Sequence, residues 1–244
     1  MKILNLVLFS NDQYFDSMKE FTSVYYKSFP SVKTLYYKYT PSIEKDFLIE
    51  DDVLHIKGHE SRIPGILLKT LKAFRYVVNT NEDFDYVLRT NISTVVNFDL
   101  LIKNISIYPS IYYDGILCKL KYITKDSGID NKFQNMPYVS GLGILLSYDA
   151  LKYIVYNDHL VDTNVIDDVA IGILFQTYRK DIKIRNICPQ NNILFTPDTF
   201  TNIDMIQYCN NVIFYRNKSI DNRCLDVEKI KIITQYLIKT KSLL

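Results

Sequence analysis

Asp85-Tyr86-Val87-Leu88-Arg89-Thr90-Asn91-Ile92-Ser93-Thr94-Val95-Val96-Asn97 is the stretch on which the fold turns. From Phe84 to Leu88 the residues are apolar, β-branched or aromatic, the composition of a buried strand. The run then breaks into small hydrogen-bonding side chains. In open α/β sheets, ligands sit beyond the carboxyl ends of the strands, so this polar tip is a candidate binding site. Elements predicted upstream support a sheet of that kind. Ile3 to Phe9 makes a first strand, and Asn11 or Asp12 can cap a helix with Tyr14, Met18, Phe21, Val24 and Tyr25 near one face. Val32 to Tyr39 and Asp52 to Lys57 make further strands. A helix from Pro64 to Val78 carries the apolar stripe Ile66, Leu67, Thr70, Leu71, Phe74, Val77 and Val78. Such alternation predicts a mixed, mostly parallel sheet flanked by helices.

Downstream the pattern is more broken. One or two strands are expected over Tyr112–Tyr122, and a polar loop over Thr124–Asn135. Helices are expected over Ser147–Asn157 and Asp167–Arg179, with strand-like Ile182–Ile187 after them. Asn192–Phe195 and Val212–Tyr215 look extended, and Asp226–Ile238 forms a last amphipathic helix. No repeat, low-complexity tract or linker divides residues 1–244, which predicts a single domain. With 48% hydrophobic residues over 244 positions, a sizeable core is within reach. A net charge of +2, from 29 basic and 27 acidic residues, predicts no nucleic-acid partner. The basic run Lys229–Lys241 alternates with Ile and Leu and reads as a solvated helix face. Four dispersed cysteines with no C-x-x-C pair argue against a zinc site or a disulfide framework. His55 and His59, four apart, straddle a strand end and a loop. With no signal-peptide layout and no transmembrane segment, a soluble, cytoplasmic protein is expected.

Four motifs in order, over roughly residues 50 to 220, resemble the nucleotide-sugar glycosyltransferases of GT-A fold. The likeness is to the galactosyl-, N-acetylglucosaminyl- and fringe-type enzymes. In that family the strand at 85–97 runs into Lys-Thr-Asp-Asp-Asp-Thr-Phe-Val-Asn; here the acidic triplet is Asn91, Ile92 and Ser93. The Arg89-Thr90-Asn91-x-Ser93 form is similar to a variant of bacterial and large-virus transferases. Glu60 to Thr70 resembles the polar turn and helix preceding that strand, which makes Lys69 a diphosphate or structural contact. Met136 to Ser147 resembles Pro-Tyr-x-x-Gly-x-Gly, so Tyr138, Gly141 and Gly143 would belong to a loop bordering sugar and acceptor. Val165 to Gly172 resembles the Asp/Glu-Asp-Val-x-x-Gly motif of inverting members.

The resemblance implies transfer of a sugar, with inversion, from a nucleotide diphosphate donor, in the first instance a UDP-sugar. The partner would be a glycan or glycosylated acceptor. Asp168 would be the general base that takes the acceptor hydroxyl's proton, and Asp167 would cap the helix or orient the acceptor. Ser10, at the end of the first strand, would face the nucleotide, and Arg89, Asn91 and Ser93 would contact the donor. A divalent metal, Mn2+ or Mg2+, usually offsets the charge on the departing diphosphate. Asn91 and Ser93 are poor ligands for a hard cation, and Asp83-Phe84-Asp85 lies at the wrong end of its strand. Two solutions stay open: a metal held elsewhere, or a metal-independent mechanism in which Arg216, Lys218 and Arg223 bind the phosphates. A different class stays open too, a nucleotide-sugar-binding or structural pseudoenzyme that kept the fold and lost turnover.

Overall fold

The structure is a computed structural model that describes residues 1–80, 82–107, 112–121, 123, 129–182, 184, 192–219 and 221–241. β1 (Ile3–Leu8) is apolar at nearly every position because both its faces are covered. Leu4 and Leu6 enter one core, Ile3 and Val7 the other. α1 (Gln13–Tyr26) follows, started by Asp12, whose carboxylate accepts from the Tyr14 N–H at 2.8 Å; such a cap contributes about 1 kcal/mol. β2 (Val32–Tyr39) pairs with β1 in parallel. The hairpin β3 (Phe47–Glu50) and β4 (Val53–Ile56) adds an antiparallel edge, and α2 (Gly65–Asn79) leads into β5 (Tyr86–Asn91).

β5 pairs in parallel with β1, so both strands deliver their carboxyl ends to the same edge of the sheet. Beyond it come β6 (Thr94–Val96), α3 (Phe98–Ile107), β7 (Tyr113–Lys119) and β8 (Pro137–Ser147). The main sheet runs β3-β4-β2-β1-β5-β8-β7, parallel at its centre and antiparallel where β8 joins β5 and β7. α4 (Tyr148–Tyr156) and α5 (Asp167–Tyr178) cover the same face as α2, while α1, α3 and the last helix of the chain cover the other. A second sheet, ordered β6-β10-β9, joins β6 to β9 (Ile193–Phe195) and β10 (Phe214–Arg216). Between those last strands lies α6 (Asn202–Tyr208), and α7 (Arg223–Lys241) closes the chain.

Several expectations change. The strand read over Phe84–Leu88 continues to Asn91, so part of the polar tip is still strand. Gly141 and Gly143 belong to the eleven-residue β8, not to a loop. α3 was not anticipated, although Asn97 signals its start by accepting from the Leu100 N–H at 3.3 Å. Also unforeseen were β3, β6 and α6, pieces too short to show a convincing period. Val24 turns to solvent; Thr22 and Tyr26 take its place on the buried face of α1. Lys229, read as a solvated charge, is 2% exposed, with Nζ near Asp198, Ser219 and Asp226. Part of the expected loop at 124–135 and most of the strand-like stretch at 182–187 lie outside the described residues.

Candidate functional site

A cleft of about 940 Å³ opens where β1 and β5 end. Ser10 borders it just past β1, and Asn91 and Ser93 border it at the tip of β5. Gly141 from β8 and the Asp167–Asp168 doublet at the start of α5 form another wall. Arg216, Lys218 and Arg223, from the end of β10 onward, form the wall opposite in sequence. Lys69 and Arg89 also line the cleft. Segments more than 120 residues apart thus meet around one space. Tyr138 and Gly143 stand apart from it. Tyr138 packs where Gly172 leaves room, since a Cβ on Gly172 would lie 2.6 Å from that of Tyr138. Gly143 makes room for the ring of Phe214 in the same way.

Asp168 is fixed by backbone. Its Oδ2 accepts from the Gly141 N–H at 2.8 Å and its Oδ1 from the Val169 N–H at 2.9 Å. Burial raises its pKa above the ordinary aspartate range, and the neighbouring Asp167 adds to the rise; the hydrogen bond from Gly141 and the charge of Arg89 oppose it. Asp167 is itself buried, with Oδ2 2.5 Å from Nη2 of Arg89. The Arg89 guanidinium, 1% exposed, also donates to the Gly141 carbonyl at 2.5 Å and to Tyr37 Oη at 3.3 Å. Gly141 is therefore gripped at both ends, its carbonyl by Arg89 and its N–H by Asp168. A side chain there would meet Arg89 at 2.8 Å, which is why glycine stands at this position.

Lys69 is likewise committed. Its Nζ donates to both Glu60 oxygens at 2.7 Å and to the Phe9 carbonyl at 2.8 Å. It pins the end of β1 to the turn before α2, and burial lowers its pKa against the pull of Glu60. Of the two alternatives for Lys69, the geometry is that of a structural contact. Glu60 also accepts from the Tyr39 N–H at 3.2 Å. It borders the cleft without having been singled out, because nothing local marks its pairing with Lys69.

Arg216 Nη1 donates to Ser93 Oγ at 2.5 Å and to Thr94 Oγ1 at 3.3 Å. Arg223 pairs with the buried Asp226 at 2.5 Å and lies over the Phe15 ring. Asp226 also accepts from the Ser219 N–H at 2.8 Å and its hydroxyl at 2.9 Å, anchoring the segment that carries Lys218. Its spacing of three from Arg223 could have exposed that pair had α7 been started early enough. Phe195 is another unforeseen neighbour, 67% exposed at the cleft and in register with Arg216.

A divalent metal fits these residues poorly. The strand tip offers an amide and a hydroxyl, whereas Mg2+ or Mn2+ favours carboxylate oxygen. Asp167 and Glu60 are taken up by Arg89 and Lys69. Among the described residues no group of three or more His, Cys, Asp or Glu is placed to hold an ion. Asp85, the acid at the strand's other end, accepts instead from the Lys2 N–H at 2.6 Å.

The fold is matched among solved glycosyltransferase structures. A crystal structure of a glycosyltransferase involved in the glycosylation of the major capsid of PBCV-1 aligns over 95% of this chain and 100% of its own, with a TM-score of 0.54 and 12% identity. The galactosyltransferase LgtC, solved with donor and acceptor sugar analogues, aligns over 97% and 96% of the two chains, with a TM-score of 0.48 and 11% identity. No curated protein matches in sequence. The fold is thus that of a GT-A glycosyltransferase. More narrowly, the chain belongs to the galactosyltransferase family, whose profile matches residues 52–187, more than half its length. Among the described residues no helix is long and apolar enough to cross a membrane.

Proposed function

We propose that this glycosyltransferase moves a sugar from a nucleoside diphosphate donor, UDP-linked in the first instance, to a glycan hydroxyl with inversion, and that Asp168 is the general base. One observation carries the reading: of the three carboxylates bordering the cleft, Asp168 alone is held by backbone N–H groups rather than by a cation. A single displacement needs one such base. A double displacement through a covalent sugar would need a nucleophile as well as an acid/base. Asp168 also lies in the first turn of α5 and lines the same cleft as the polar ends of β1 and β5, where a nucleotide belongs in an α/β sheet. Its raised pKa makes it a stronger base than an ordinary aspartate.

Sugar transfer from UDP-galactose and UDP-N-acetylglucosamine to a panel of glycan acceptors tests this assignment, with product configuration read by NMR. Asp168→Asn keeps the shape and removes the base, so transfer should fall about 10²–10⁴-fold. Equal turnover by both proteins removes Asp168 from the role, and retained anomeric configuration removes inversion.

A further inference from the structure

We propose that Arg216, with Lys218 beside it, supplies the positive charge that a divalent metal would otherwise bring to the departing diphosphate. The proposal rests on the donor assigned above. In the family likeness, the tip of β5 is where acidic side chains would hold an ion. Here Ser93 occupies that tip, and the Arg216 guanidinium is hydrogen-bonded to it at 2.5 Å. A cation group thus already stands against the position. The neutral tip then acquires a physical reason. An aspartate at 93 would close an ion pair with Arg216 and cancel its charge, whereas a serine hydroxyl orients the guanidinium and leaves the charge available.

Arg216 differs from three of its basic neighbours in the cleft. Lys69 faces Glu60, Arg89 faces Asp167 and Arg223 faces Asp226. Arg216 has no carboxylate within ion-pair distance among the described residues. Six basic residues border the cleft against three acidic ones, an excess suited to a doubly anionic diphosphate. Half-burial and the nearby charges of Arg223 and Arg89 pull Arg216 down to about 10, a discomfort that a bound phosphate would relieve. An arginine fork can also meet two phosphate oxygens with parallel N–H groups from two nitrogens, a planar match that an ammonium lacks.

The arrangement is held rigidly. Arg216 lies in register with Thr94 on one side and Phe195 on the other. The next residue, Asn217, is wholly buried and accepts from Thr196 Oγ1 at 2.7 Å, while its backbone N–H donates to the Ser93 carbonyl at 2.9 Å. Donors fixed before reaction are the ones that stabilise developing charge most effectively. In the transfer step the bond from the anomeric carbon to the β-phosphate oxygen breaks, and its electron pair stays on that oxygen. The acceptor oxygen bonds to the carbon and gives its proton to Asp168. Arg216 and Lys218 then face the charge that appears on the diphosphate.

Calorimetry with UDP, GDP and ADP, in EDTA and again with Mn2+, tests the proposal, with the matching nucleosides as comparators. One diphosphate should bind in EDTA with a Kd within about threefold of its value in Mn2+, since among the described residues no carboxylate cluster is placed to recruit the ion. Arg216→Gln should weaken that diphosphate ~10–100-fold, the range of one or two charge-assisted hydrogen bonds, and leave the nucleoside nearly unchanged. Lys218→Gln, at an exposed position, should weaken it less. Binding only with Mn2+, or an Arg216→Gln protein that binds the diphosphate like wild type, overturns the proposal and leaves the donor class standing. Binding of no diphosphate under either condition removes the donor class and the proposal with it.

Discussion

Replacing Arg89 by methionine keeps much of its stem and removes three polar contacts: to Asp167 at 2.5 Å, the Gly141 carbonyl at 2.5 Å and Tyr37 at 3.3 Å. Asp167, whose side chain is 4% exposed, is left as an unpaired buried charge. Breaking a buried ion pair from one side costs about 3–5 kcal/mol. For a domain of this size each kcal/mol moves Tm by about 2–4 °C, so Tm should fall roughly 6–20 °C. Removing the second charge as well, in Arg89→Met with Asp167→Asn, should recover part of that loss. The kinetic consequence follows from Gly141. Its N–H holds Asp168, the base proposed above, and its carbonyl loses the guanidinium that fixes it, so Asp168 drifts; displacement by about 1 Å can cost ~10²-fold in rate. We expect kcat to fall by about that factor while donor KM stays within a few-fold. The acid limb of the pH profile should also move. Arg89 favours the charged form of Asp168, so its removal raises the pKa, and activity is then lost at higher pH on acidification. Differential scanning fluorimetry and initial rates at saturating acceptor provide the readouts. An unchanged Tm and kcat with a raised donor KM would refute the reasoning, because Arg89 would then be touching the donor rather than ordering the carboxylates.

Gly141→Ala places a methyl 2.8 Å from Arg89 and 3.4 Å from Asp168. Overpacking of this kind costs about 1–3 kcal/mol, and kcat should drop about tenfold or more because strand and base must part; a variant with wild-type kcat would contradict the double grip on Gly141. In the unaltered enzyme, the acid limb of kcat/KM should lie above the value of about 3.9 of a free aspartate, because a base must be deprotonated and burial delays that. A limb at or below the free value would show that Asp168 is not the titrating base.

Much of the frame was legible from local pattern. β1 announces itself as an apolar run, β2 by alternation, α1 through Asp12, and α4 through Ser147, whose hydroxyl accepts from the Ala150 N–H at 3.2 Å. The Asp167–Asp168 doublet, the small polar residues after Leu88 and the basic segment at 216–223 were visible as well, because residue chemistry is written directly in the chain. Which charges point into the cleft was not. Lys69, Arg89 and Lys229 look alike on paper, yet each is buried against an acid from another segment: Glu60, Asp167 and Asp198. The three-residue strand β6 was hidden, since so short a run shows no reliable alternation, and β9 and β10 were legible only as extended segments without partners. They matter because their pairing brings Arg216 to Ser93, 123 residues away. Local composition therefore determined which chemistry this chain carries and that a strand end would present it. Tertiary structure alone decided which groups are free to use it, because a buried charge is settled by whichever distant partner the fold brings within hydrogen-bonding distance.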